Sequence, residues 1–72
     1  MTFIVVLHSE GYGNSVVEED WHALGEGEEY YSAPFAYADP VFTEVFVTAV
    51  EAESKSEALV LAKAMHAAKG QG

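Results

Sequence analysis

Three histidines, twelve acidic residues and no cysteine set the range of chemistry open to this 72-residue chain. His8 and Glu10 stand two apart at the end of an apolar run, where they could form an acid-base or metal-binding pair. Glu18 and His22 are four apart, a spacing that puts two metal ligands on one face of a helix, but no third ligand follows from the pattern. The commoner role of Glu18 and His22 is a solvated helix face, and that of His8 and Glu10 is a strand end meeting water. His66, beside Met65, reads as a packing residue or one that suits the dipole of a helix end. Ser9 next to His8 makes no nucleophilic triad, because neighbours on a strand point to opposite faces. Gly11-Tyr12-Gly13 lacks the further glycine and the lysine of a phosphate loop and reads as a turn. Carboxylate pairs recur at Glu18 to Asp20, Glu28 with Glu29 and Glu51 with Glu53, too often to single one out, and no calcium-loop spacing is present. The expectation is no catalytic residue, no metal ligand and no cofactor. His8, Glu10 and His22 are the residues an enzymatic or ligand-binding alternative would use.

The stretch EGEEYYSAPFAYADP, residues 26 to 40, carries a stronger signal. Tyrosine offers a large contact area at low conformational cost and is enriched at binding hot spots, while adjacent carboxylates can steer it toward a basic surface. In so short a chain some of these rings must close the core, and Phe35 and Tyr31 are assigned that role. The predicted partner-binding set is Glu26, Glu28, Glu29, Tyr30, Tyr37 and Asp39.

Charge narrows the partners. The formal net charge is −9; all the acids fall between Glu10 and Glu57, the only cations are Lys55, Lys63 and Lys69, and arginine is absent. Phosphate recognition depends on arginine and lysine, so direct binding to nucleic acid or to an anionic membrane surface is not expected. A basic protein is the favoured partner. Half the residues are apolar, which argues against disorder. A chain of this length buries only about 60% of its unfolded surface. Without cysteine, neither a disulfide nor a zinc-thiolate site can reinforce it, leaving dense packing or a homodimer. Met1-Thr2 leads into Phe3 to Leu7 with no basic flank, unlike a signal peptide, and that run is far short of a membrane span. A soluble, cytoplasmic protein is expected.

The elements that must position these groups can be read from periodicity. TFIVVLHS predicts a strand over Thr2 to His8, apolar on both faces and therefore central or covered on both sides. SEGYGN is a loop. In SVVEEDWHALG, Ser15 and Glu18 fit a capping box and Val17, Trp21 and Leu24 recur at helical spacing, predicting a short helix over Val16 to Leu24; a strand through SVVEE is the competing reading. EEYYSA, residues 28 to 33, could form an edge strand ahead of Pro34. VFTEVFVTAVEA predicts a strand over about 41 to 51 with both faces buried. ESKSEALVLAKAMHAAKG predicts a helix from Lys55 to about Lys69, with Ser54 as N-cap, Glu57 as its capping-box partner and Gly70 as the stop. Its main apolar stripe is Ala58, Leu61, Ala62, Met65 and Ala68. The expected fold is a single α+β domain over residues 1–72: two layers, a mostly antiparallel sheet of two or three strands, one short and one longer helix, in the order β-α-(β)-β-α.

These features point to a non-enzymatic acidic interaction module. In size and charge, though in no motif, the chain resembles small bacteriophage-encoded inhibitors of host defence that present carboxylates where a basic, nucleic-acid-binding protein expects phosphates. A homodimeric structural or assembly subunit is the alternative.

Overall fold

β1 (Thr2–Tyr12) begins with Phe3 to Leu7, a run of β-branched, aromatic and leucine side chains suited to a pleated, buried surface. The computed structural model describes residues 1–14, 16–30 and 41–71, and places after β1 the strands β2 (Val16–Leu24) and β3 (Phe42–Glu51) and the helix α1 (Lys55–Gln71). The sheet order is β2-β1-β3, with both neighbours antiparallel to β1. The α+β class and the central position of β1 are as expected. Among the described residues no helix is long and apolar enough to cross a membrane.

The expected order is corrected to β-β-β-α among those residues. Val16 to Leu24 is a strand, not a short helix. Tyr12 pairs with Val16, so the chain reverses through a tight turn where Gly13 takes a φ of +54°. That turn lays VVEEDWHAL directly against β1, and the unpaired backbone of a central strand outweighs the fortuitous helical spacing of Val17, Trp21 and Leu24. The first strand also runs beyond His8 to Tyr12, through residues expected to form a loop. Gly11 is accommodated because the Phe42 ring of the neighbouring strand lies over it; a Cβ at that position would run into the ring. Of the segment expected as an edge strand, Glu28 to Tyr30 are outside any strand, and the remainder lies outside the described residues, as do Tyr31 and Phe35.

α1 starts as predicted. Ser54 Oγ accepts the Glu57 amide at 3.2 Å and Ser54 O accepts the Ala58 amide at 3.0 Å. The buried face of the helix is rotated from the expected stripe. Ala58 and Ala62 are fully buried against Phe3, Val5 and Val50, with Leu59 packed alongside, whereas Leu61 and Met65 are 39% and 47% exposed. Ala68 is exposed as well. The helix rests on its small residues because these let the two backbones approach most closely, and the larger side chains are displaced to the flanks. β3 departs from expectation in the same way. Phe46 and Val50 face the helix, but Val45 and Val47 on the opposite face are exposed, because β3 is an edge strand covered by α1 on one side only.

Near its end α1 is held by rings. His66 meets Phe46 and Trp21 edge-on, with centroids 5.0 and 5.7 Å away. Lys63 Nζ lies 5.8 Å from the Trp21 ring and Lys69 Nζ 5.5 Å from Phe46. These contacts orient the helix, with Lys63 toward β2 and Lys69 over β3.

Two substitutions test the rotated face. Ala62→Leu inserts volume where none is free and is expected to cost about 1–3 kcal/mol. Leu61→Ala should cost less than the about 2–5 kcal/mol of a fully buried leucine. Urea unfolding of both variants checks the assignment; a larger loss for Leu61→Ala than for Ala62→Leu would restore the expected stripe.

Candidate functional site

Antiparallel partners share a face of a sheet, so the register fixes which polar groups meet. His8 is opposite Asp20, Val6 opposite His22, and Glu10 opposite Glu18. All six project from the face that α1 does not cover. There the spacing of two residues, which on a strand returns a side chain to the same face, produces two histidine-carboxylate pairs side by side.

The first pair lies inside the protein. His8 Nε2 is 2.9 Å from Glu10 Oε2, and the Tyr12 hydroxyl donates to Glu10 Oε1 at 3.0 Å. The His8 and Glu10 side chains are only 8% and 3% exposed. The expectation that they sit at a strand end in water is thus corrected: β1 continues past them to Tyr12, and both side chains are buried. A buried carboxylate requires partners, and the imidazole and phenol supply them. The second pair lies in the open. His22 Nε2 is 2.7 Å from Asp20 Oδ2, with both side chains well exposed. Glu18 and His22 are not a helical pair at all, since both belong to β2. The Tyr30 ring tilts against His22 with centroids 4.9 Å apart, and burial, with the Asp20 charge as a lesser cause, raises its hydroxyl above the ordinary phenol range. Among the described residues no group of three or more histidine and acidic side chains is arranged to hold a metal ion.

Of the predicted partner-binding residues, Glu26 and Glu29 are exposed and Tyr30 is half-buried beside His22. Tyr37 and Asp39 lie outside the described residues. Glu28 acts locally, because its Oε1 accepts the Gly25 amide at 2.9 Å and meets Lys55 Nζ at 2.7 Å, tying the turn after β2 to the start of α1. The lysine, and then the Gly25 amide, hold this carboxyl below the ordinary carboxylate range.

On the helix-covered face, an open cleft of about 490 Å³ is lined by Leu7, Ser9, Glu44, Phe46, His66 and Lys69, among others. Ser9 and Glu44 are cross-strand neighbours there, and no hydrogen bond among the described residues links either to His66. Sequence reading misses this grouping because it combines the middle of two strands with the end of a helix. It overlooks the Asp20–His22 pair for a different reason: two-residue spacing is silent once the segment is read as helical.

The two histidine-carboxylate pairs should differ in their effect on stability. Glu10→Ala removes a buried carboxylate to which the His8 imidazole and the Tyr12 hydroxyl are bonded and is expected to cost about 1–3 kcal/mol. Asp20→Ala breaks an exposed pair and should cost about 0–1 kcal/mol. Chemical denaturation of both variants makes the comparison, and equal losses would place Glu10 in solvent.

Glu28 predicts a pH dependence. A carboxyl whose folded pKa is depressed contributes stability above its unfolded pKa, and that contribution is lost as pH falls through the folded value. The stability difference between the native chain and Glu28→Gln should therefore shrink as pH falls through and below the carboxylate range. It should also shrink with salt. A difference unchanged by acid would dissociate Glu28 from Lys55.

No protein-family model matches the chain, and comparisons with curated proteins and with solved structures find no match either.

Proposed function

We propose that this chain is a non-enzymatic acidic interaction module that engages a basic protein, in its sharper form an inhibitor occupying the groove where a nucleic-acid-binding protein holds phosphates. The observation that carries this reading is the segregation of charge. Lys55, Lys63 and Lys69 all belong to α1, so every Asp, Glu, Lys or Arg side chain outside the helix is acidic. Along the β2 edge, Glu18, Glu19 and Asp20 are consecutive, and Glu26 and Glu29 follow in the turn beyond it. A strand advances about 3.4 Å per residue. That is also about the axial spacing of phosphates along one strand of B-form DNA. Neighbours alternate between faces, so Glu18 and Asp20 stand about 6.8 Å apart on one face, two such steps, while Glu19 points to the other; the edge presents these carboxylates on a rigid element that loses little entropy on binding. Tyr30, packed beside His22 near the same edge, supplies aromatic contact area.

The test is charge removal at carboxylates of this edge and turn other than Glu28, which is tied to Lys55; Glu18 is half-buried and Glu19, Glu26 and Glu29 are exposed. Glu18→Gln, Glu19→Gln, Glu26→Gln and Glu29→Gln combined should leave the circular dichroism intact. Binding to a basic nucleic-acid-binding protein captured from lysate at low salt should weaken by about tenfold or more, through slower association. Duplex DNA should displace the native chain from that protein. Capture indifferent to the four substitutions, or a complex that DNA does not displace, would overturn the reading.

A further inference from the structure

The two edges of the sheet differ, and the difference points to a second copy of this chain. At the β2 edge, the run Glu18, Glu19, Asp20 would set acids near acids in any self-pairing. β3 has no such guard: among its ten residues only Glu44 and Glu51 are charged, and there is no lysine and no proline, the usual devices that blunt an edge. Among the described residues no strand pairs with its outer side.

The backbone on that side is available in a definite pattern. The Ala52 amide donates to Met1 O at 2.9 Å, making Met1 and Ala52 a hydrogen-bonded pair at the end of the β1–β3 ladder. Alternation along an antiparallel ladder then turns the N–H and C=O groups of Glu44, Phe46, Thr48 and Val50 toward β1. Those of Thr43, Val45, Val47, Ala49 and Glu51 point outward.

Apolar surface borders this edge on both faces of the sheet. On the face away from α1, Val45 and Val47 are each 57% exposed, and Ile4, the cross-strand neighbour of Ala49, is 40% exposed. On the helix side, Leu61 and Met65 are each two residues from Lys63, which places them about 200° around the helix from it. Lys63 lies over Trp21 of β2, so Leu61 and Met65 occupy the flank toward β3. Their exposure goes with that of Val45 and Val47: among the described residues no strand lies beyond β3.

We infer that β3 pairs antiparallel with β3 of a second copy about a two-fold axis near Val47, giving a continuous six-stranded sheet with both helices on one face. Centred on Val47, this register sets Val47 against Val47 of the second copy, Val45 against Ala49 and Phe46 against Thr48. Glu44 meets Val50 and Glu51 meets Thr43, so no carboxylate faces another. The Leu61 and Met65 flanks of the two helices approach each other above the axis. A closed two-fold contact of this kind consumes the β3 edge of both copies and leaves outermost only the acid-lined β2 edges, which resist further pairing. Each copy carries a charge of −9, so salt should strengthen the pairing by screening the repulsion between them, the reverse of its effect on a basic partner.

Sedimentation velocity of the full chain at low and high salt is expected to show a dimer that tightens with salt. Val47→Lys places two ammonium groups across the axis and should raise the dimer dissociation constant about tenfold or more, whereas Val16→Lys, at an equally exposed site on β2, should not. Because the native chain contains no cysteine, mild oxidation of Val47→Cys should give a covalent dimer and Val16→Cys should not; this conservative pair keeps the test valid if Val47→Lys fails to fold. A monomer at both salts, or a dimer that crosslinks through position 16 rather than 47, would overturn the inference.

Discussion

The close seating of one helix on its alanines is the contact on which the rest of this protein depends. Ala58 and Ala62 are fully buried against Phe3, Val5 and Val50, and among the described residues no second helix shares the work. A single helix about 10 Å across reaches only to the axes of the outer strands when three lie about 4.8 Å apart, and leaves the margins beyond them. The centre of the sheet is therefore sealed while its margins stay half-covered. Trp21 and Ala23 on β2 are partly buried against the core, and Phe46 on β3 meets the His66 ring and the Lys69 ammonium. In a small domain this arrangement concentrates hydrophobic stabilisation along β1 and the inner face of α1 and leaves both edges to other devices.

Those devices differ between the edges. β2 is lined with carboxylates that water solvates well and that discourage another strand, while β3 keeps a pleated apolar surface and, among the described residues, an outer side that no strand pairs with. The proposed roles divide along the same line, with a charged edge suited to a partner of opposite sign and an uncharged one suited to a copy of itself. The Glu28–Lys55 contact sits at the junction. It ties the end of the acidic strand to the start of the only element that carries lysine, so the charged edge is held by an ion pair drawn from its own sequence.

The sequence is most legible where one signal dominates. Ser54 and Glu57 mark the helix start because a cap is a local hydrogen bond, and the doubly apolar Phe3 to Leu7 run marks a central strand because burial on two faces leaves no room for polar alternation. It is least legible where a tertiary demand overrides a local pattern. Val17, Trp21 and Leu24 fit a helix as well as a strand, and only the presence of β1 across a tight turn decides between them. The stripe on α1 is misread because summed hydrophobicity favours leucine and methionine, whereas close approach favours alanine. His8 and Glu10 are recognisable as a pair from their spacing, but their burial is a tertiary property that the spacing does not express.

The confinement of every lysine to α1, in a chain without arginine, has a chemical consequence. A protease that cuts after basic residues finds no site in the sheet: residues 1–55 remain one covalent piece carrying all three strands, and cleavage begins only at the first turn of the helix. Lysine acetylation is restricted to the same layer. Modifying all three side chains would carry the formal charge from −9 to −12, since each loses one positive charge, and would remove the cations over Trp21 and Phe46. The strands would keep every atom they had, while the helix that covers them lost its only positive charges.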